Sequence, residues 1–258
     1  TLHAGRVLFG SHDGYVYCLR MADGALAWKF LAATNEQRTV SHGQVESVWP
    51  VHGSVLVVKD AVYCVAGRSA FLDGGLRLYK LDVDTGKMLS VCKIDETDPR
   101  SGENIQKLQT GWVGLTMPVA NPDILTSDGE HVFMRTEPFD LEANRLRITP
   151  DVDVQHQDRP GAHLFSPVGL LDDSWHHRTY WVYGVTSVYG WHVWFEAAKH
   201  APSGRILSFD DNTVFGFARK PQFLAQSPVI EYQMYKADKR PDPEGPERVA
   251  KTAAEHPK

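Results

Sequence analysis

The feature that most constrains the fold is a strand-and-turn pattern near the N-terminus. Three short stretches rich in aliphatic and aromatic residues read as β-strands. These stretches are residues 6–10, 15–19 and 25–30. They are separated by Asp13-Gly14 and Asp23-Gly24, and Asp-Gly readily adopts the positive φ of hairpin turns. Short strands joined by tight turns predict an antiparallel meander.

The pattern then occurs a second time. Further strands are predicted at 61–66, 76–81 and 87–91, with a long turn at 67–75 and a tight one at Asp84-Thr85-Gly86. Overlaying the copies matches Tyr17 with Tyr79, Leu19 with Leu81 and Gly24 with Gly86. Weaker copies follow at 123–135 and 204–217. Repeats of this size built from strands predict an all-β chain, a β-propeller of four-stranded antiparallel blades.

The organisation expected from this pattern is one propeller region followed by a tail. Blades are predicted over 1–236, with insertions at about 33–53, 95–118 and 136–162, and a charged, proline-rich linker or disordered tail over 237–258. Four or five blade-like units are visible, whereas propellers commonly close with more. Thr1 also lies close to the first predicted strand, with no room for a preceding strand. We therefore expect an incomplete propeller.

Composition excludes two classes of function. The formal net charge is −5 and the basic residues are scattered, which argues against a nucleic-acid binder. The sequence has no run of 18 apolar residues, so no membrane-spanning helix is predicted. Cys18, Cys64 and Cys92 lie in apolar, strand-like stretches, where we expect small buried hydrophobic side chains; a disulfide among them stays possible.

One spacing links the first copy to a known family. Asp13-Gly14, a strand, then Asp23-Gly24 followed four residues later by Trp28 resembles the PQQ-like repeat of quinoprotein dehydrogenases. The second copy keeps Thr85-Gly86 but has Ser90 where the repeat has tryptophan. The resemblance implies that each tryptophan docks between neighbouring blades, against the peptide plane after the turn glycine.

Two groups of proteins share this repeat, and they imply different functions. One group consists of dehydrogenases that hold pyrroloquinoline quinone and calcium. The other consists of envelope scaffolds similar to the lipoprotein propeller of the outer-membrane barrel assembly machinery (BamB-like). The sequence has neither the adjacent cysteine pair typical of the dehydrogenases nor an assignable calcium ligand set, so no cofactor is predicted. The resemblance favours a non-catalytic periplasmic or extracellular scaffold; the alternative is the propeller part of a quinone-dependent or carbohydrate-active enzyme whose active site lies elsewhere.

The candidate binding residues surround the long turn of the second copy. This turn contains Arg68 and Asp73, and Glu46, Trp49 and His52 precede it and could share its face of the propeller. One interpretation is a bulged hairpin turn closed by a local Arg68–Asp73 ion pair. The other is a loop that contacts a protein or glycan partner, because binding residues concentrate on loops of rigid scaffolds. No catalytic residue is predicted.

Histidines and aromatic residues elsewhere carry weaker predictions. His176 and His177 are adjacent, so in a strand they point to opposite faces and do not form one metal site. His42 and His52 flank Glu46 and Trp49, but a metal site there would need a third ligand that the spacing does not supply, so none is predicted. The aromatic group of Trp191, His192 and Trp194 either stacks on sugar rings or belongs to the core between blades.

Overall fold

The computed structural model describes residues 1–41, 43–98, 101–104, 124–146, 160–166, 181–185, 201–218 and 232–239. Within these ranges the chain consists of β-strands, turns and bends, with no helix. The predictions for His42, His176, His177 and the Trp191–Trp194 group lie outside the described residues. The chain divides into two compact units, of which the first contains most of residues 1–149 and the second most of residues 150–258.

The first unit contains three antiparallel sheets and a separate hairpin. The first sheet is β1 (Leu2–His3), β2 (Arg6–Gly10), β3 (Tyr15–Arg20) and β4 (Leu26–Leu31). The hairpin is β5 (Arg38–Ser41) and β6 (Gln44–Ser47). The second sheet is β7 (Leu56–Val58), β8 (Ala61–Ala66), β9 (Leu76–Asp82) and β10 (Met88–Ile94). The third sheet is β11 (Leu125–Ser127), β12 (His131–Met134) and β13 (Glu137–Asp140).

The second unit contains two three-stranded antiparallel sheets. One is β14 (His163–Phe165), β15 (Trp181–Gly184) and β16 (Ser203–Gly204), and the other is β17 (Ile206–Phe209), β18 (Thr213–Ala218) and β19 (Gln233–Asp238). The expectation of an all-β chain is confirmed over the described residues. Sheets of four antiparallel strands are confirmed in the two copies that the sequence predicted most clearly.

The start of the chain differs from the prediction. The expectation that no strand precedes residue 6 was wrong, because β1 pairs with β2 and completes a four-stranded sheet. The connection is the two-residue turn of Ala4 and Gly5, with φ of 43° and 74°. Positive φ at both turn residues matches the twist of a tight hairpin. A strand of two residues is too short to show an alternating pattern in the sequence.

The two copies of the repeat have the same register. In the first sheet Cys18 pairs with Trp28 and a one-residue bulge follows; in the second, Lys80 pairs with Ser90 beside a bulge at the corresponding place. A bulge adds a residue to one strand and turns the side chains beyond it. Trp28 and Ser90 therefore occupy equivalent positions on the outermost strand of their sheets.

The second sheet is covered on both faces. All six residues of β8 are buried, and alternate side chains enter two different cores. Towards the first sheet, Val62, Cys64 and Leu81 pack with Leu8, Val16, Cys18 and Trp28. Towards the third sheet, Tyr63, Leu76 and Leu78 pack with Leu125, Val132, Met134 and Phe139. Three sheets are thus stacked face to face, as blades are.

The predicted insertions contain more strand than their composition suggested. The segment 33–53 includes the β5–β6 hairpin, and 136–162 begins with β13. Strand β13 contains Pro138, whose carbonyl accepts from the Leu146 amide at 3.0 Å, and Phe139 forms a bridge with Arg145. From 95–118, Thr97 forms a bridge with Asn104 and the remainder from 105 on lies outside the described residues. Strand β19 extends to Asp238, two residues into the predicted tail.

The three cysteines are free in this structure. Cys18 and Cys64 are buried between the first and second sheets, and Cys92 is half-buried. Burial raises the pKa of the Cys64 thiol to about 12, so it stays protonated at neutral pH. These side chains serve as small apolar core residues, as the sequence indicated.

Candidate functional site

A segment between the first two sheets is fixed by hydrogen bonds to the β2–β3 turn. The Ser47 amide donates to the His12 carbonyl at 2.8 Å, and the Val51 amide donates to the Ser11 carbonyl at 3.0 Å. On the other side, the Gly67 amide donates to the Pro50 carbonyl at 3.0 Å. Residues 47–51 therefore join the turn of the first sheet to the long turn of the second.

A buried carboxylate lies at the centre of this region. Glu46 has 8% of its side chain exposed, and it is an acceptor for the Arg68 guanidinium. Its other oxygen lies 3.0 Å from His12 Nδ1. Arg68 also donates to the Ser47 carbonyl at 3.2 Å. A buried charge is tolerated when it is paired and hydrogen-bonded, so these contacts hold three loops in one arrangement.

Trp49 fixes the far end of the long turn. Its Nε1 donates to the Asp73 carbonyl at 2.9 Å, and 9% of the residue is exposed. Asp73 begins a run of three residues with positive φ that continues through Gly74 and Gly75. The indole thus binds the backbone at the place where the turn reverses direction.

The structure corrects the interpretation of Arg68 and brings together four of the five candidate binding residues. The local Arg68–Asp73 ion pair was wrong: the Arg68 guanidinium binds the buried carboxylate of Glu46 instead. Glu46, Trp49, Arg68 and Asp73 are brought together as the sequence suggested. His52 joins them through His12, since the two imidazole rings lie edge to face with centroids 6.2 Å apart.

The β5–β6 hairpin extends this surface and was not predicted from the sequence. Val40 and Val45 are directly opposite each other, and each is 71% exposed. Arg38 on β5 is also exposed. The base of the hairpin is anchored because Glu46 and Ser47 are buried. The alternation of residues around Gly43 was the signal that could have revealed a hairpin here. We call residues 38–41, 43–52 and 67–75 the loop surface.

The repeat motif forms the joint between the first and second sheets. Trp28 Nε1 donates to the Val83 carbonyl at 3.0 Å. The indole lies against Gly86, where a Cβ would overlap the ring. Gly86 has a φ of 68°, so glycine serves both the conformation and the close approach. The remaining motif positions shape turns: Asp23 Oδ1 accepts from the Ala25 amide at 3.0 Å and Thr85 Oγ1 donates to Asp82 at 2.7 Å.

Asp13 and Gly14 have a more specific role than a generic turn. Asp13 accepts hydrogen bonds from the Tyr15 amide at 3.0 Å and the Tyr17 hydroxyl at 2.6 Å. Burial raises the pKa of Asp13, but the bonds from Tyr17 and Tyr15 outweigh it and leave the pKa below its usual value. The same bond raises the pKa of Tyr17 to about 12. Gly14 lies against Ala33 and Ser47, with no room for a Cβ.

A different set of contacts forms the joint between the second and third sheets. Ser90 Oγ donates to the Glu142 carbonyl at 2.8 Å, and the Tyr63 hydroxyl donates to the Leu141 carbonyl at 2.6 Å. Lys80 Nζ lies 2.9 Å from the Glu142 carboxylate. The polar side chain at position 90 therefore reaches the turn that follows β13, much as Trp28 reaches the turn that follows β9.

The described residues contain no group of three His, Cys, Asp or Glu side chains that could hold a metal ion. Their cysteines are well separated in sequence and not paired. No catalytic step is assigned to the loop surface. In the part of the chain that the structure describes, no helix is long and apolar enough to cross a membrane.

Comparison with known proteins gives structural similarity only. No family model matches the sequence. No curated protein matches it either. Among solved structures, BamB from Moraxella catarrhalis is 15% identical over 83% of this chain and 53% of its own, with a TM-score of 0.39.

Two dehydrogenases are also similar. A quinohemoprotein alcohol dehydrogenase from Pseudomonas putida is 19% identical over 50% of this chain and 19% of its own, with a TM-score of 0.35. A europium-containing methanol dehydrogenase is 20% identical over 40% and 16%, with a TM-score of 0.29. This chain covers less than two thirds of each of the three structures. It is therefore similar in structure to quinoprotein dehydrogenases and to BamB.

Proposed function

We propose that this chain is a non-catalytic, extracytoplasmic scaffold of the β-propeller type, whose stacked sheets are blades, and that its loop surface binds a protein partner. The observation that carries the proposal is the buried Glu46. By binding Arg68 and His12 together, it holds insertions from consecutive blades as one surface. The extracytoplasmic location rests on the resemblance of the repeat to envelope scaffolds.

Rigidity is the first argument for a binding role. The second sheet is buried on both faces, and the loop surface is bonded to its long turn at Pro50 and Trp49. A surface that is ordered before binding loses less conformational entropy when a partner docks. Loops positioned by a rigid scaffold are also where binding residues are usually found.

The character of the exposed side chains favours a protein over a glycan. Val40, Val45 and Leu72 are 71%, 71% and 57% exposed. Exposed apolar groups with polar neighbours are typical of protein interfaces. Arg38 and Arg68 add guanidinium groups, which are enriched at such interfaces. Trp49 is largely buried, so its ring does not offer an open platform for a sugar.

The test is a binding experiment in which a charged residue replaces Val40 or Val45 of the β5–β6 hairpin. The complete gene product, tagged and expressed in its native host, is isolated together with any stoichiometric partner. The partner is then purified and rebound to the wild-type chain and to Val40→Asp and Val45→Asp. We expect both substitutions to weaken binding at least tenfold, because a charge would be buried without a partner.

The matched control is Ile206→Asp, since Ile206 is similarly exposed, at 68%, but lies on β17 of the second unit. It should bind like the wild-type chain. Equal weakening by Ile206→Asp, or full binding by Val40→Asp and Val45→Asp together, would refute the loop surface as the binding site.

A further inference from the structure

The register of the β5–β6 hairpin determines which of its backbone groups point outwards. Residues directly opposite each other in an antiparallel pair alternate between hydrogen-bonded and non-hydrogen-bonded pairs. The Val48 amide donates to the Gln37 carbonyl at 3.0 Å, so that pair is hydrogen-bonded. The next pair, Arg38 and Ser47, is therefore non-hydrogen-bonded. The amide and carbonyl of each of these two residues point away from the opposite strand.

The two outer edges of the hairpin differ in what they contact. On β6, the outward amide of Ser47 donates to the His12 carbonyl at 2.8 Å. On β5, the outward groups belong to Arg38 and Val40, and β5 pairs with β6 alone. In the part of the chain that the structure describes, no hydrogen bond reaches these outward amides and carbonyls. Strand β5 therefore has an unpaired edge, whereas β6 is fixed to the first sheet.

The edge of β5 is also more regular than the edges of the neighbouring sheets. The outermost strands of the first two sheets, β4 and β10, each pair with a bulge. A bulge disturbs the ladder and protects an edge from the addition of another strand. Strand β5 pairs with β6 in one continuous register. The edge of β5 thus has the regular spacing that a further strand needs.

The opposite side of the hairpin holds this edge in place. Thr39 lies opposite Glu46 in the register. The carboxylate of Glu46 is buried and binds both Arg68 and His12. Because β6 is fixed in this way, β5 loses less conformational entropy when a partner strand pairs with it.

The side chains along the edge indicate which strand fits. Val40 and Val45 are directly opposite each other, and each is 71% exposed. Arg38 precedes Val40 by two residues, so alternation places it on the same face. Over the described ranges, no carboxylate forms an ion pair with Arg38. An added strand with an apolar residue beside Val40 and a carboxylate beside Arg38 therefore makes two favourable cross-strand pairs.

We propose that the protein partner adds an extended, antiparallel strand to β5. In this strand an apolar residue lies beside Val40, and an acidic residue two positions later lies beside Arg38. Main-chain hydrogen bonds supply the affinity in this mode of recognition, and alternate side chains supply the specificity. The inference rests on the proposed function, because β5 belongs to the loop surface, and it specifies how the partner is bound there.

The probe is a short synthetic peptide of threonines that contains one valine and, two positions later, one glutamate. Hydrogen–deuterium exchange, resolved to single amides, is measured on the complete gene product with and without the peptide. We expect a saturating concentration to slow the Arg38 and Val40 amides about tenfold, because they become donors to the added strand. The Val45 amide, on the other edge, should exchange at its original rate.

Two altered peptides test the two kinds of contact. N-methylation of the peptide's valine removes the amide that pairs with the Val40 carbonyl, so this peptide should not slow exchange. Replacement of the glutamate by lysine places a second cation beside Arg38 and should weaken binding several-fold, to an extent that falls with added salt.

Two proline variants of the protein locate the edge. Val40→Pro removes an outward amide of β5 without removing a hydrogen bond of the hairpin, since proline is tolerated on edge strands. It should weaken binding of the peptide, and of the partner purified with the complete gene product, about tenfold. Val45→Pro makes the same change on β6 and should leave both affinities unchanged.

Several results would overturn the proposal. They are unchanged exchange with the peptide, protection by the N-methylated peptide, and equal effects of the two proline variants. Slow exchange of the Arg38 and Val40 amides without peptide would show that a strand of the protein itself or of a second copy already pairs with β5. A partner that binds Val40→Pro normally but loses affinity for Val40→Asp would refute strand addition and leave the proposed function standing.

Discussion

The two joints between stacked sheets solve the same problem with different chemistry. In the first joint an aromatic wedge, Trp28, fills the space beside the Gly86 turn. In the second, Ser90 and Tyr63 donate hydrogen bonds to consecutive carbonyls of the 140–144 turn. Equivalent positions of a repeat can therefore be apolar at one joint and polar at the next without loss of stacking.

The turns explain which solution each joint uses. In the first joint, the last residue of the turn after β9 is Gly86, which has no side chain and so leaves room for the Trp28 indole. In the second, the residue at that place is Ala143, which has a φ of 64° and is 1% exposed. Its methyl group is packed in the core between the second and third sheets, where Gly86 has no side chain at the equivalent place. We infer that this leaves less room for a large ring, in keeping with the small side chain at position 90.

The largest expected loss of stability follows from removing the Trp28 side chain. Trp28→Ala removes the buried indole and leaves the Val83 carbonyl without its donor, so we expect a loss of about 3–5 kcal/mol in the free energy of unfolding. Ser90→Ala, at the equivalent position, should cost only about 1 kcal/mol. Urea unfolding of both variants measures the difference; equal losses would contradict the comparison.

The close contact between Gly86 and the Trp28 ring should contribute the next largest amount to the free energy of unfolding. Gly86→Ala places a methyl group into the Trp28 ring, whereas Gly24→Ala meets open space at the same φ. The strain of positive φ is common to both variants, so their difference isolates the contact. We expect Gly86→Ala to be less stable than Gly24→Ala by about 1–3 kcal/mol in urea unfolding. Variants of equal stability would exclude a tight contact between Gly86 and the ring.

At the joint between the second and third sheets, removing a single polar group should reduce the free energy of unfolding by a smaller amount. Tyr63→Phe leaves the Leu141 carbonyl unsatisfied in a partly buried position, for a loss of about 1–2 kcal/mol. Lys80→Met should cost a few tenths to about 1 kcal/mol, because Glu142 is 68% exposed. A reversed order in thermal unfolding would show that the ion pair, and not the hydroxyl, maintains the joint.

The smallest effect concerns the counterparts Tyr17 and Tyr79. Hydrogen bonding to Asp13 raises the pKa of Tyr17 to about 12, whereas burial raises the pKa of Tyr79. Asp13→Asn should lower the pKa of Tyr17 towards 10, with Tyr79 unchanged. Alkaline titration at the phenolate absorbance band detects this shift, and an unaltered curve would contradict the bond.

The same pair has a consequence for stability at the pH extremes. The pKa of Asp13 is lowered in the folded state. Its contribution to the free energy of unfolding is therefore present at pH values above the ordinary pKa of aspartate, and it is lost as the pH falls through the pKa of the folded state. The pKa of Tyr17 is raised, so its contribution is present below pH 10 and is lost as the pH rises through about 12. Tyr17→Phe removes the hydrogen bond to Asp13, so the free energy of unfolding should depend less on pH both at acidic pH and near pH 12.

The sequence predicts the regular parts of the fold well. Strands β2, β3, β4, β8 and β9 lie within one or two residues of their predicted bounds, because alternation and Asp-Gly turns are local signals. Strand β13 was assigned to an insertion because residues 136–162 are polar and contain Pro150 and Pro160, and a buried carboxylate such as Glu137 is not expected in a strand. Burial raises the pKa of Glu137, and Arg145 offsets it through an ion pair that spacing alone does not reveal.

The candidate site was predictable as a set of residues but not as a set of contacts. Arg68 and Asp73 are close in sequence, which favoured a local ion pair. The actual partner of Arg68 is Glu46, from a separate segment whose path depends on where the β5–β6 hairpin leaves the first sheet. Short-range patterns carry no information about such a path, so His12 could not be identified as a member of the site.

Strand β8 has a consequence for how the molecule opens. Its six residues are buried between two cores, and both of its neighbouring strands are bonded to it. Its amides reach solvent only when a whole joint separates, and fraying at an edge does not expose them. Their exchange with deuterium should therefore be the slowest in the first unit and should report the separation of the joints.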